Sequence, residues 1–212
     1  MQYNIKDDGK LHTRFTDLMR ATPHQVENII KEQLGEKERF KNDVLTFGET
    51  RHNMWQKESE DTGMLPIVFR QAFPEYKDMR ITHAEKEFAT ELFENIVVHS
   101  RPDGVAVTEA TVVDYKTMVK GAGGARRYKP SKQLPFYSFQ LGIHNIRITK
   151  YVYFVEIWNE DYTEIIGYDK FEKSIGLLDI AMMKKWAHDR CEVLALGMQM
   201  AGLWKAEQGK LS

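Results

Sequence analysis

The chain has 212 residues, of which 42% are hydrophobic and 29% are charged, and its formal net charge at pH 7 is −1. This composition is typical of a globular protein with a sizeable core and excludes a disordered chain. A net charge so near zero excludes nucleic-acid binding through overall charge, although basic groups can still be concentrated in one place. No apolar run approaches the roughly 20 residues needed to span a bilayer. We therefore expect no membrane partner and a cytoplasmic location.

The length and the cysteine content limit the architecture further. We predict a single domain over residues 1–212, in which the weakly patterned residues 1–16 form a flexible arm. Cys191 is the one cysteine of the sequence. An intramolecular disulfide and a cysteine-ligated metal cluster are therefore excluded.

Helical patterns dominate the first third of the chain. Thr22 and Pro23 are typical of a helix start, and apolar residues at helical spacing follow until Gly35. Residues 47–58 predict a second helix. Residues 64–73 predict a short helix that ends before a proline.

Strand patterns follow. Residues 82–92 alternate loosely and predict one extended strand that leads to a turn. Residues 96–100, 104–107 and 111–116 complete a predicted meander. The β-branched run that leads into the last of these segments favours a buried strand.

This last strand carries a charged pair. Residues two apart on a strand share a face, so Asp114 and Lys116 point the same way while their neighbours point the other way. If strand 96–100 pairs antiparallel with this strand, Asp103 converges on Asp114. Two converging carboxylates can hold a hard divalent cation such as Mg²⁺, and a lysine beside them could orient a water or neutralise a phosphate. A surface Asp–Lys pair on an edge strand is the alternative.

Residues 120–132 are the most basic stretch of the sequence and contain no acidic residue. Their three glycines predict a mobile loop. Cations in a loop beside a proposed metal site indicate contacts with backbone phosphates, and a solvated loop is the alternative. The candidate nucleic-acid-binding residues are Lys120, Arg126, Arg127, Lys129 and Lys132.

The last part of the chain is predicted to contain helices and a hairpin. Residues 131–144 predict a helix in which Gln133 and Tyr137, four residues apart, share a face. Ordinary helix packing is the alternative for these two residues. Residues 149–168 predict a β-hairpin, and residues 174–206 predict one long helix or two.

Four spaced pieces of the sequence resemble the PD-(D/E)xK nuclease superfamily and, within it, the RecB-type exonuclease branch. They are Gly48-Glu49-Thr50-Arg51-His52, Pro102-Asp103-Gly104, Asp114-Tyr115-Lys116-Thr117 and Gln133-Leu134-Pro135-Phe136-Tyr137. Their order matches the family, and the Gln-x-x-x-Tyr piece is the discriminating one. The iron–sulfur cysteines of several relatives are missing here. The resemblance implies an α+β fold of the α/β-sandwich type, with a restriction-endonuclease-like core in which helices flank a central mixed sheet.

The resemblance also implies an activity and a site. A metal-dependent nuclease would hydrolyse DNA phosphodiester bonds with Mg²⁺ or Mn²⁺, as an exonuclease in recombination, repair or phage DNA processing within a bacterial or phage-infected cell. Its partners would be single- or double-stranded DNA ends, and a homo-oligomer or a recombination protein is a further candidate. The implied metal ligands are His52, Asp103 and Asp114, and the implied catalytic residues are Lys116, Asp114, Asp103, Gln133 and Tyr137.

The carboxylate that completes the metal site stays open. The family places an acidic residue on the helix that carries His52, but Glu49 and Glu58 do not match the common spacing, and Glu85 and Glu87 are further candidates. Because the helix carboxylate is not identified, an alternative stays open, a nuclease-like protein that binds nucleic acid without cutting it. An unrelated α+β interaction protein is the third hypothesis.

Overall fold

The computed structural model describes residues 10–23, 25–33 and 43–200. These residues form two compact units. The first unit comprises residues 10–23, 25–33, 89–100 and 182–200, and the second comprises residues 43–88 and 101–181. The single domain over residues 1–212 stays a prediction.

Along the described residues, one strand is followed by four α-helices, five strands, an α-helix, two strands and a last α-helix. The α-helices are α1 Phe15–Arg20, α2 Val26–Gln33, α3 Asp43–Thr62, α4 Ile67–Ala72, α5 Gln133–Ile143 and α6 Leu177–Met200. The strands are β1 Leu11–Arg14, β2 His83–Ala84, β3 Phe88–Phe93, β4 Ile96–Ser100, β5 Gly104–Ala106, β6 Thr111–Val119, β7 Lys150–Trp158 and β8 Ile165–Ser174. Within this described part of the chain, no helix has both the length and the apolar character that crossing a membrane requires.

The first unit contains a three-stranded sheet in the order β1-β4-β3. Strand β1 pairs parallel with β4, and Leu11 and Phe15 are buried in the core of this unit. Two buried histidines on these strands meet, with 2.7 Å between His12 Nδ1 and His99 Nε2. The predicted flexible arm is therefore wrong for residues 11–16, while residues 1–9 lie outside the described residues.

The second unit contains a five-stranded mixed sheet in the order β2-β5-β6-β7-β8. Strands β6 and β7 pair parallel, and the other neighbours in this sheet pair antiparallel. Parallel neighbours need a crossover connection, and α5 lies in the connection between β6 and β7. The predicted hairpin is confirmed as β7 and β8, and the last predicted helix is confirmed as α6 up to residue 200, beyond which the residues are not described.

The core of the second unit lies on one face of β6. Tyr115 is 2% exposed and stacks on Phe69 of α4, with ring centroids 5.4 Å apart and planes 13° apart. Trp55 of α3 packs on both rings. Burial of large aromatic side chains supplies much of the driving force for folding. Helices α3 and α4 are therefore held to this face, as expected for a sheet flanked by helices.

Two predictions about the strands are wrong. The segment 82–92 is not one strand, since β2 ends at Ala84 and β3 begins at Phe88. The predicted meander is also divided, because β4 pairs with β1 and β3 whereas β5 pairs with β6. The physical reason for the break after β2 is the backbone of Glu85, whose φ of 49° is incompatible with an extended strand.

Candidate functional site

The predicted site residues come together where β5 meets β6. Gly104 of β5 pairs with Val113 of β6, which brings Asp103 beside Asp114. Asp103 Oδ2 accepts a hydrogen bond of 2.6 Å from the backbone N–H of Tyr115. A Cβ atom on Gly104 would lie 2.7 Å from Val113 Cγ2, so only glycine permits this approach. The expected convergence occurs, although through β5 and not through the segment 96–100.

Three side chains form a cluster that could hold a metal ion. His52 Nε2 lies 2.5 Å from Glu85 Oε1, and His52 Nδ1 lies 3.5 Å from Asp103 Oδ2. One ligand atom from each of these residues lies within 4.8 Å of the others. The predicted ligands His52 and Asp103 are thus brought together, and the structure adds Glu85, which the sequence left as one of four candidates.

Glu85 has the geometry expected of a functional residue. It is 9% exposed and adopts a left-handed backbone conformation, which costs a residue other than glycine about 1–3 kcal/mol. Its N–H donates to the backbone oxygen of Asp103 at 3.3 Å. The Arg101 guanidinium lies 2.6 Å from the second carboxylate oxygen of Glu85. These contacts hold the Glu85 carboxylate next to His52 despite the backbone strain.

The charged pair on β6 forms a second part of the site. Lys116 and Asp114 make an ion pair, so the prediction that they share a face is confirmed. Asp114 Oδ1 accepts a hydrogen bond of 3.0 Å from Gln133 Nε2, and the same amide donates to the Tyr137 hydroxyl at 3.1 Å. Four of the predicted catalytic residues, Lys116, Asp114, Gln133 and Tyr137, therefore form one connected group, and the roles of all five stay predictions.

Burial and mutual repulsion shift the ionisation of this group. Burial, together with the neighbouring Asp114, raises the pKa of Asp103 to about 8. Burial also raises the pKa of Asp114, against the opposing effect of Lys116. For Lys116 and His52, burial alone would lower the pKa, but the surrounding carboxylates raise the pKa of both groups. Burial, more than the neighbouring charges, therefore disfavours the ionised form of both carboxylates.

These observations fit a divalent cation. Carboxylate oxygens are the ligands that Mg²⁺ and Mn²⁺ prefer. Asp114 Oδ2 is buried and, within the described residues, accepts no hydrogen bond of good geometry, although it faces the Lys116 ammonium. His52, Glu85 and Asp103 would hold the ion. The ligand role of Asp114, which does not belong to that cluster of three, stays a prediction.

The other glutamates proposed as metal ligands, and Gln140 on the helix of Gln133, lie outside the cluster of His52, Glu85 and Asp103. Glu58 accepts a hydrogen bond of 2.6 Å from the backbone N–H of Ile67, which fixes the start of α4. Glu49 and Glu87 are exposed. Gln140, which shares the helix side of Gln133 and Tyr137, is fully buried and donates to the backbone oxygen of Phe88.

Helix α3 is anchored by the residue that precedes His52. Arg51 makes two hydrogen bonds, of 2.8 and 2.6 Å, to the fully buried carboxylate of Glu156 on β7. Its guanidinium also lies 5.4 Å from the ring centroids of both Trp55 and Trp158. A bidentate pair enclosed by aromatic rings fixes orientation strongly. The rotation of α3, and with it the direction of His52, is set by this contact.

The basic segment is more ordered than the sequence predicts. Residues 125–128 form a short 3-10 helix, and the Ala125 N–H donates to Asp169 at 2.7 Å. Tyr128 stacks on Tyr153, with centroids 4.9 Å apart and planes 17° apart. Tyr153 pairs with Asp114 across β6 and β7, so the segment packs beside the site. The predicted loop is wrong for residues 125–128, which form this helix and pack through Tyr128 on Tyr153.

All five predicted basic residues of this segment are exposed: Lys120, Arg126, Arg127, Lys129 and Lys132. Sequence reasoning missed Tyr128, whose only signal was an aromatic residue within a basic segment. It also assigned no role to Arg101, since a single arginine before a proline carries no recognisable pattern.

Comparison of the sequence with protein-family models finds no match, and comparison with curated proteins finds none either. Among solved structures, a proposed exonuclease of Eubacterium rectale is similar, with a TM-score of 0.61 and 10% identity over 94% of this chain and 86% of that chain. A phage-related exonuclease of Haemophilus somnus 129PT is also similar, with a TM-score of 0.58 and 8% identity over 91% of this chain and 96% of that chain. At these identities the likeness shows the fold alone. The predicted α+β, restriction-endonuclease-like fold is thereby confirmed.

Proposed function

We propose that this protein is a metal-dependent nuclease of the PD-(D/E)xK type that hydrolyses DNA phosphodiester bonds. The observation that carries this proposal is the convergence of His52, Glu85 and Asp103, with ligand atoms within 4.8 Å, in the unit that also holds the Asp114–Lys116 pair. The similar solved structures are named as exonucleases, which supports an exonuclease activity for this chain. The RecB-type motif order supports that branch, with Mg²⁺ or Mn²⁺ as cofactor.

The chain's own residues can each be given a task in hydrolysis. Lys116 stays protonated, since neighbouring carboxylates raise its pKa, and places a positive charge where a phosphate would sit. Gln133 holds Asp114 and Tyr137 in a fixed arrangement through one amide group. His52 and Glu85 restrict each other through their 2.5 Å contact. Held in this way, the polar groups need little rearrangement during the reaction.

A divalent cation bound to these ligands would stabilise charge on a phosphoryl oxygen and lower the pKa of a water molecule. Hydrolysis forms a bond between the water oxygen and phosphorus and breaks the bond from phosphorus to the ester oxygen. The water loses a proton, and the departing ester oxygen gains one. Lys116 would orient the water or stabilise the charged phosphate during this exchange.

DNA would be held by the basic segment of residues 120–132. Its exposed cations lie on a short helix and loop anchored beside the site by the Tyr128–Tyr153 stack. Exposed Lys and Arg contact backbone phosphates without reading sequence, which suits an enzyme that acts on DNA ends of any sequence. A role in recombination, repair or phage DNA processing, and a homo-oligomer or recombination partner, belong to the same proposal.

A cleavage assay on linear and circular DNA tests the activity. With Mn²⁺, wild-type protein should degrade linear DNA from its ends and leave covalently closed circles intact. The Lys116→Ala variant should not cleave although it still binds Mn²⁺. Cleavage of linear DNA by this variant at the wild-type rate would contradict the assigned role of Lys116, and no cleavage by wild type would contradict the proposed activity.

A second candidate is a protein with the same fold that binds nucleic acid without cutting it. One observation favours it, since α3 supplies no carboxylate to the cluster of His52, Glu85 and Asp103. Such a protein would bind DNA in a salt-dependent manner and show no Mn²⁺-dependent cleavage. The assay above separates the two candidates.

A further inference from the structure

Arg101 immediately precedes Pro102 and Asp103 and contacts Glu85, a member of the candidate metal cluster. Its side chain is 61% exposed, yet its Nε lies 2.6 Å from Oε2 of Glu85, whose side chain is only 4% exposed. The other carboxylate oxygen of Glu85 contacts His52. The guanidinium is thus a solvent-exposed positive charge paired with a buried candidate ligand of the cation.

This pair is suited to exchange of partners. The exposed guanidinium loses little on release, because it returns to water, whereas the buried Glu85 carboxylate can give it up only when a cation takes its place. A divalent cation at Glu85 would place two positive charges beside the guanidinium and compete with it for the same carboxylate. The released guanidinium would keep its planar array of donors, which matches the oxygens of a phosphate.

We propose that Arg101 exchanges its partner when the site is loaded: it neutralises Glu85 in the absence of a cation and binds a backbone phosphate of DNA once a cation is held. The inference rests on the cation site of the proposed function and adds a substrate-contacting residue to it. Cation binding and DNA binding then strengthen each other, because each ligand removes the competitor of the other.

The proposal predicts opposite effects of one substitution on two ligands. Arg101→Gln removes the competing charge from Glu85, so Mn²⁺ should bind about tenfold more tightly. The same change removes a phosphate contact, so the increase in DNA affinity that Mn²⁺ produces should fall about tenfold. A residue with a merely structural role would weaken the binding of both ligands together.

The experiment measures Mn²⁺ affinity by calorimetry and then the affinity for a phosphorothioate oligonucleotide duplex, which resists hydrolysis, with and without Mn²⁺. Arg147→Gln is the matched control, since Arg147 is exposed and, within residues 43–200, has no ion pair. Arg101→Lys keeps the positive charge and loses the planar guanidinium group. It should bind Mn²⁺ as wild type does, with a smaller effect of Mn²⁺ on DNA affinity.

The outcomes separate this inference from the proposed function. If wild type binds Mn²⁺ and Arg101→Gln binds it no more tightly, or keeps the full effect of Mn²⁺ on DNA affinity, the role of Arg101 is wrong while the nuclease proposal stands. If wild type binds no Mn²⁺, both are wrong. A thermal melt of each variant shows whether it is folded. If Arg101→Gln does not fold, the effect of Mn²⁺ on the DNA affinity of Arg101→Lys tests the role of Arg101.

Discussion

The two faces of β6 are both buried, but one carries aromatic side chains and the other carries charged side chains. On one face, Tyr115 packs between the rings of Phe69 and Trp55. On the other face, Asp114 is 0% exposed and carries a carboxylate beside the Lys116 ammonium. Burial of aromatic rings stabilises the fold, whereas burial of charge costs free energy unless the charge is fully compensated. One strand therefore separates the residues that stabilise the fold from those proposed to act on a substrate.

This comparison predicts that substitutions on the two faces have separable effects. Changes on the polar face should reduce activity while the protein stays folded, as is common where active sites are built at the expense of stability. Changes on the apolar face should reduce stability first. The following four predictions test that separation, from the largest expected effect to the smallest.

Lys116→Ala should reduce the cleavage rate by at least about 10³-fold, because it removes the positive charge that would stabilise the phosphate in the transition state. Mn²⁺ affinity should not fall, since the protonated lysine cannot be a metal ligand and its positive charge repels the cation. The melting temperature should fall less than in Phe69→Ala, because Asp114 can take up a proton once its partner is removed. Single-turnover cleavage and Mn²⁺ calorimetry on the same preparation measure both effects, and parallel losses of activity and Mn²⁺ binding would refute the separation.

Phe69→Ala should lower the free energy of unfolding by about 3–5 kcal/mol, because it leaves a cavity beneath Tyr115 on the apolar face. Phe69 is fully buried, whereas Ile67 of the same helix is 48% exposed. Ile67→Ala is therefore the matched control and should cost less than about 1 kcal/mol. Urea denaturation measures both, and equal losses would show that α4 does not hold the core as described.

Asp103→Asn should flatten the dependence of stability on pH. Burial raises the pKa of Asp103 from an ordinary value of 3.8 to about 8, so the folded protein retains a proton that the unfolded chain has released. The free energy of unfolding of cation-free wild type should therefore fall as pH rises from about 4 to about 8. Asparagine still accepts the hydrogen bond from Tyr115 and cannot ionise, so this fall should become shallower.

Melting temperatures measured in EDTA across that pH range test the prediction, with the exposed Asp78→Asn as control. Added Mn²⁺ should raise the melting temperature of wild type near pH 8, because the cation offsets the buried negative charge. Identical pH curves for wild type and Asp103→Asn would contradict the assigned environment of Asp103.

Neutralising Arg126 and Arg127 should weaken DNA binding about tenfold and lower the salt slope of the binding constant by about 2, because two phosphate contacts are lost. Both residues are exposed, so folding should be unaffected. The control replaces two exposed arginines outside the segment, Arg80 and Arg147. A fluorescence-anisotropy titration at several salt concentrations measures the slope, and equal slopes for the two double variants would remove the segment from the DNA interface.

The sequence could predict those contacts of the site that depend only on how side chains repeat along a single helix or strand. Asp114 and Lys116 share a face because strand side chains alternate, and Gln133 reaches Tyr137 because helix residues four apart are neighbours. The α+β fold was implied by the resemblance of the motif pieces to a nuclease superfamily. For the two side-chain contacts, the local geometry alone determines which side chains meet.

The parts that sequence could not predict depend on pairing between distant segments or on unusual backbone. Whether β4 or β5 pairs with β6 is decided by tertiary packing, and in the structure the β5 pairing brings Asp103 to Asp114. The sequence pattern places Glu85 within a strand, but its left-handed backbone ends β2 and turns the carboxylate toward His52. The order of residues 125–128 likewise comes from packing of Tyr128 on Tyr153, which no local pattern contains.

The most direct measurement of the central claim is a crystal structure of the protein soaked in Mn²⁺, with data collected for anomalous scattering. We predict an anomalous peak within bonding distance of His52, Glu85 and Asp103, with the Arg101 guanidinium displaced from Glu85. An anomalous peak at some other group of residues, or these three side chains unchanged with no peak between them at saturating Mn²⁺, would contradict it.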